Sequence, residues 1–315
     1  MGGTPITSEA LGGFYEKHTY IREATNAQQV FKSKSMEDLF NPAKIKLPRE
    51  ACDSVDSPRS RGIILAEDVT GSMGRHLLNL IQKQFPRLIK STYDTVSFDP
   101  HIMFMAIGDV ECDRAPLQVT QFETDLRILE QLQQIWLEEG GGSNSYESYI
   151  LAWYFAAKHT RMDCLEKRGE KGFLFTFGDE EPTPNIKDSD VRQVFGDNDK
   201  LDTRILTSKD CLEMASEKFH CYHIMLDGMN YDSVELRMWK ELMGGHACEL
   251  KDHHYLPELV TTILAMYEGM SKTEAIARLK DVAAESVVAI ALKDHEEHVE
   301  DCAIQNNSES SVEIF

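Results

Sequence analysis

ILAEDVTGSMG, residues 64–74, opens as an apolar run of strand length and closes as a turn rich in side-chain oxygens. Gly71 and Gly74 allow a tight entry into the next segment, where Leu77, Leu78, Ile81, Phe85 and Leu88 recur at helical spacing. Pro86 is expected to kink or end the regular part of that helix. An apolar strand feeding a helix through a short turn is the repeating unit of a mostly parallel sheet covered on both faces. The pattern recurs: after Ile63 to Ala66 come runs at Ile102 to Ile107, Phe173 to Phe177 and Tyr222 to Leu226. The expected fold class is α/β, a doubly wound, mostly parallel sheet flanked by helices.

Each run leads to an aspartate: Asp68, Asp109, Asp179 and Asp227. In an open parallel sheet the carboxyl ends of the strands share one edge, and ligands bind there where the strand order reverses. A single strand-end aspartate is as often a helix cap or a turn former. Four in register point to a cation site.

Outward from this core, residues 1–60 alternate short apolar clusters with Pro48, Pro58, serine and charge, and read as an arm with one helix, packed on the domain. Residues 61–270 hold the α/β pattern. One helix is expected to carry Leu126, Leu129, Leu132 and Trp136, and another runs from about Ser145 to His159. More helices are expected near 208–219, 232–243 and 257–268. A C-terminal helix is expected over 271–294, opened by a capping box of Ser271 and Glu274. Residues 295–315 form an acidic tail too poor in apolar residues to order itself.

Composition limits the function. The chain has 315 residues, 42% hydrophobic and 27% charged, ordinary values for a folded domain. A formal charge of -20 opposes binding to nucleic acid or to anionic membrane, both of which require Lys and Arg at phosphates. The seven cysteines are scattered without a CxxC pair, which fits reduced thiols in a cytoplasmic protein. No signal-like N-terminus is visible, and no stretch nears the roughly 18 apolar residues that span a bilayer. His220 and His223, three apart in a strand, fall on opposite faces. His295 and His298 read as a solvated helix end and His253 and His254 as surface, so no zinc site is expected.

The turn itself has a ligand chemistry. Asp68, Thr70 and Ser72 alternate along it and can aim oxygens at one centre. Magnesium takes oxygen ligands in an octahedral array and gives up its waters reluctantly, which suits two neutral hydroxyls and a few carboxylates. DVTGSM at Asp68 to Met73 resembles the DxTxS element of the metal-ion-dependent adhesion site of von Willebrand factor A (vWA) domains, a Rossmann-like fold. GGSNS at 141–145 resembles that family's GGT segment, and FTFGDE at 175–180 resembles its strand-end TDG. Residues 53–179 are similar to a group of intracellular bacterial and phage vWA proteins.

The resemblance implies Mg²⁺, with Mn²⁺ as an alternative, held by Thr70, Ser72 and Ser143 through hydroxyls and by Asp68 and Asp179 directly or through water. Asp109 and Glu180 are secondary candidates, as are Asn144 and Glu147, whose spacing reads rather as a capping box for the following helix. Two departures stand out. Glu180 and Glu181 follow Asp179 where the family has Gly, and Glu67 precedes Asp68 where a buried strand is normally apolar.

Three functions compete. The first is a binding module that grips an acidic residue of a protein partner through the metal, within an assembly or a complex driven by an AAA+ ATPase. The second is a Mg²⁺-dependent phosphoryl-transfer enzyme, a phosphatase or nuclease using the same carboxylates. Against it, strand-end DVTGS resembles the start of haloacid-dehalogenase-like phosphatases but puts Thr70 where they need a second Asp. The third is a scaffold whose ion is structural.

Overall fold

A computed structural model of the chain describes residues 6–138, 146–226 and 233–296. Six strands form the central sheet: β1 (Ser60–Asp68), β2 (Asp99–Ile107), β3 (Leu117–Val119), β4 (Gly172–Gly178), β5 (Phe219–Leu226) and β6 (Ala247–Leu250). Their spatial order is β6-β5-β4-β1-β2-β3. All neighbours run parallel except β3, which pairs antiparallel with β2 at the edge. The four apolar runs of the sequence are the cores of β1, β2, β4 and β5. The two edge strands are too short to announce themselves by pattern.

Alternate residues of β1 feed two cores, as the period of a strand requires. Ile63 and Leu65 join Leu77, Ile81, Phe85, Phe104 and Phe175 on one face. Ile64 and Ala66 join Met103, Trp153, Leu174 and Trp239 on the other. Both faces are apolar because helices cover both. α1 (Gly74–Asn79), α2 (Phe85–Thr95) and α4 (Leu256–Tyr267) lie on the first, and α3 (Tyr149–His159) on the second.

Pro86 does not end its helix. A proline lacks the amide N–H, and its ring crowds the carbonyl four residues back. Here that residue, Gln82, lies in a π-helical turn, Leu80–Gln84, and the helix continues as α2. The expected helix through Trp136 stops earlier, at Arg127–Leu132, while Ile135 and Trp136 stay buried in the following loop. The N-terminal segment forms two helices rather than one, Ser8–Lys17 and Thr19–Glu23, and its Leu11, Phe14, Ile21 and Phe40 belong to the same core as β1.

The expected C-terminal helix is two. Lys272–Ala277 begins at the Ser271–Glu274 capping box, as read, and Asp281 caps α5 (Val282–Ala291), its side chain accepting from the amide of Ala283. His295 is not solvated: it is 3% exposed, stacked on Tyr222 and 2.8 Å from its hydroxyl. A buried tyrosine hydroxyl requires such a partner, and composition alone does not show who supplies it. His298 lies outside the described residues. His220 and His223 do take opposite faces, His220 against Tyr267 and His223 flat on Trp239.

Candidate metal site at the carboxyl edge of the sheet

β1 and β4 are neighbours, but the chain leaves β1 toward β2 on the other side, so the strand order reverses between them. That is the point at which doubly wound sheets bind ligands. Asp68 closes β1 and Asp179 follows β4 there. Asp68 is 0% exposed. Its Oδ1 accepts both the amide of Thr70 at 2.8 Å and the Thr70 hydroxyl at 2.6 Å, which folds the turn back on the strand end. Donating its proton to Asp68 leaves the Thr70 oxygen with lone pairs for a cation. Ser72 belongs by its backbone to the next turn, Gly71–Met73.

The other carboxylate oxygen of Asp68 accepts from Tyr149 Oη at 3.3 Å. Tyr149 is fully buried at the start of α3, and Gly178 makes room for it: a Cβ at 178 would stand 1.8 Å from the hydroxyl. Burial, with the charges of Asp68, Asp179 and Glu147, holds the phenol well above its ordinary pKa, so it stays a neutral donor. The sequence reading placed this residue on the helix from about Ser145 to His159 and did not single it out. The only available signal was that a buried tyrosine must send its O–H somewhere.

Glu67 and Glu147 are the unexpected acids. Glu67 is 1% exposed within β1, and burial, Asp68 and Asp179 hold its pKa well above the ordinary value. Glu147 does not cap α3. The cap is Ser148, and Glu147 lies in a two-residue strand, Tyr146–Glu147, paired with Glu181–Pro182. The capping reading fails because this pairing extends the backbone up to Ser148, so the helix starts at Tyr149. Burial and the charges of Asp68, Asp109, Asp113 and Glu180 push Glu147 up to about 9. Burial, with Asp179 adding to it and bonds from Thr70 and Tyr149 opposing, leaves Asp68 at about 7. Glu67 Oε2 and Glu147 Oε2 are buried with no hydrogen-bond partner among the described residues.

Asp109, 1% exposed, accepts from the amide of Glu111 at 3.0 Å, and its own amide donates to Asp113 Oδ2 at 2.8 Å. Its charge acts on Glu147, which places it on the same rim. Glu180 is raised by burial and by Asp179, Glu235 and Glu181. Thus Asp68, Thr70, Glu147, Asp109, Asp179 and Glu180 gather at one edge. Ser143, Asn144 and Asp227 lie outside the described residues.

The donor set suits a hard cation. Buried carboxylates raise one another's pKa unless a positive charge intervenes, and buried oxygens without partners are rare in folded proteins. Both conditions meet here, and an oxygen-liganded divalent ion would relieve both.

No family model matches the sequence, and no curated protein matches it. Solved structures that it is similar to include the pilus adhesin SpaC from Lactobacillus rhamnosus GG in an open conformation. The TM-score is 0.44 at 7% identity over 66% of this chain and 30% of that one. A second form of SpaC gives 0.46 at 8% identity, over 68% and 31%. A von Willebrand factor type A protein from Catenulispora acidiphila gives 0.37 at 11% identity, over 75% and 52%. The chain thus spans about a third of the length of SpaC, and likenesses this distant say nothing about function. Among the described residues no helix is long and apolar enough to cross a membrane.

Proposed function

We propose that this rim holds Mg²⁺ and that the protein uses the ion to grip a carboxylate of a protein partner. The observation that carries the reading is the pair of buried, unpartnered oxygens, Glu67 Oε2 and Glu147 Oε2, beside Asp68. Thr70, Ser72 and Ser143 would hold the ion through hydroxyls, with Asp68 and Asp179 direct or through water, as the resemblance of DVTGSM, GGSNS and FTFGDE to the vWA adhesion site implies. Mn²⁺ would fit the same donors. When bound, the ion supplies a Lewis-acidic position for an outside oxygen. The chain's own residues orient the turn and keep water from Asp68. A partner within an assembly or an AAA+-linked complex in the cytoplasm fits this reading.

The test is calorimetry of the EDTA-stripped protein with Mg²⁺ and Mn²⁺, beside the Thr70→Ala/Ser72→Ala variant. Binding to the parent and none to a folded variant is expected; equal binding to both would reject the assignment. Partner capture should then require Mg²⁺ and be lost in Asp179→Ala.

A second reading, metal-dependent phosphoryl transfer, is favoured by one observation. Asp68 and Glu147 are poised near and above neutrality, as acid–base groups are. It predicts turnover of generic phosphatase or nuclease substrates with Mg²⁺ that vanishes in Asp68→Ala. We expect no such turnover, since Thr70 stands where a catalytic acid is needed.

A further inference from the structure

A different set of donors gathers where the sequence promised only surface. Asp252, His253 and His254 follow β6, and one ligand atom from each lies within 4.8 Å of the others. Asp252 opens the short turn His253–Tyr255 by accepting the amide of His254 at 2.9 Å. Its Oδ1 also lies 2.7 Å from His254 Nδ1. A carboxylate on one ring nitrogen fixes the tautomer and leaves the other nitrogen as a base, the arrangement found behind metal-bound histidines.

The histidines are held together by more than sequence adjacency. The rings of His253 and His254 stack with centroids 4.3 Å apart. Gln84 Nε2 donates to the His253 carbonyl at 2.8 Å and Arg87 Nη1 to the His254 carbonyl at 3.1 Å, which ties this turn to the π turn and α2. His76, from α1, meets His253 edge-on with centroids 4.5 Å apart. Three imidazoles and one carboxylate thus come together from two places in the chain that are far apart in sequence.

We propose that His253 and His254, with Asp252 as a third ligand or as the orienting carboxylate of His254, bind a first-row transition cation of the zinc, nickel or copper class, with His76, whose ring packs on His253, turning in as a further donor. Imidazole nitrogen selects these ions, whereas Mg²⁺ and Ca²⁺ take oxygen. Zinc–nitrogen bonds of about 2.0–2.1 Å require ligand atoms closer together than 4.8 Å. Side-chain rotation supplies the difference, because His254 is 54% exposed and Asp252 45%. The ion would brace the helix leaving the DVTGSM turn against the turn that follows β6. Its donors are separate from the carboxylates of the rim, so the two sites should load independently.

The experiment uses untagged, EDTA-stripped protein titrated with Zn²⁺ by calorimetry in excess Mg²⁺, then with Co²⁺ followed by visible absorption. One Zn²⁺ per chain is expected, with affinity at least tenfold weaker in His254→Ala, no binding in His253→Ala/His254→Ala, and full binding in Thr70→Ala. Co²⁺ should give intense visible bands that the double variant lacks. His254 is exposed, so its replacement leaves the core intact, and thermal unfolding in EDTA checks this. The proposal is overturned if the parent takes up no Zn²⁺, if the double variant binds it as well as the parent, or if Thr70→Ala loses it.

Discussion

The two ends of β1 treat acid side chains in opposite ways. At its start, Asp53 accepts from Arg168 at 2.8 Å, from the Ser60 hydroxyl at 2.7 Å and from Lys167 at 3.3 Å, while Asp163 takes Lys167 at 2.8 Å. Burial works to raise the pKa of Asp53, but these bonds outweigh it and hold the carboxyl well below its ordinary range. At the other end, eight residues on, the charges acting on Glu67 and Glu147 are other carboxylates, and Asp68 has hydroxyl and amide donors rather than cations. One end is closed by the chain's own Lys and Arg. The other gathers carboxylates with no Lys or Arg among the charges acting on them, and on the proposed function its positive charge comes from outside.

This contrast can be broken at either end. The largest effect is expected from Arg168→Ala, which removes donors to Asp53, to the Ser60 carbonyl and to Glu170 and leaves Asp53 short of a partner. We expect a loss of about 2–3 kcal/mol in urea unfolding, with no change in Mg²⁺ binding. If Mg²⁺ affinity fell as well, the two ends would not be independent.

A smaller effect of opposite sign is expected at the rim. Asp68 and Glu147 are raised from 3.8 and 4.5 to about 7 and about 9. A raised carboxyl favours the fold when protonated, so its contribution is full below the unfolded value and is lost as pH rises through the folded one. The Tm of EDTA-treated protein should therefore fall between pH 5 and 9, and Mg²⁺ should restore more of it at the higher pH. Glu147→Gln should flatten the upper part of that slope and stabilise the metal-free protein by about 1 kcal/mol at pH 8. A Tm that rises with pH in EDTA would contradict the contrast. The smallest effect belongs to Tyr149→Phe, which removes one long bond to Asp68 and an acceptor for the Glu180 amide. It should cost under about 1 kcal/mol and weaken Mg²⁺ binding only slightly, as calorimetry would register.

The sheet was legible because β1, β2, β4 and β5 are buried on both faces and read as unbroken apolar runs. The capping box at Ser271 was legible because its two partners are local in sequence. Glu147 was misread for the complementary reason. What fixes it is the parallel pairing of Tyr146 with Glu181 and of Glu147 with Pro182, 35 residues on in both cases, and a two-residue strand has no period to detect. Glu67 showed itself as an acid in an apolar strand, whereas Tyr149 was hidden among the aromatics of α3. His253 and His254 were read as surface, but their meeting with His76 was not legible, since His76 and His253 come together only once α1 and β6 are placed.

Gly178 ties the shape of the rim to the ring of Tyr149. A methyl group there would meet not only the Tyr149 hydroxyl but also its ring, with Cζ 2.8 Å and Cε1 3.0 Å away. Removing the hydroxyl alone would leave Cζ 2.8 Å away, so a side chain at 178 requires the ring at 149 to move. That movement would take a donor from Asp68. The two positions are coupled, and the hydroxyl that Asp68 accepts from depends on the bare backbone at 178.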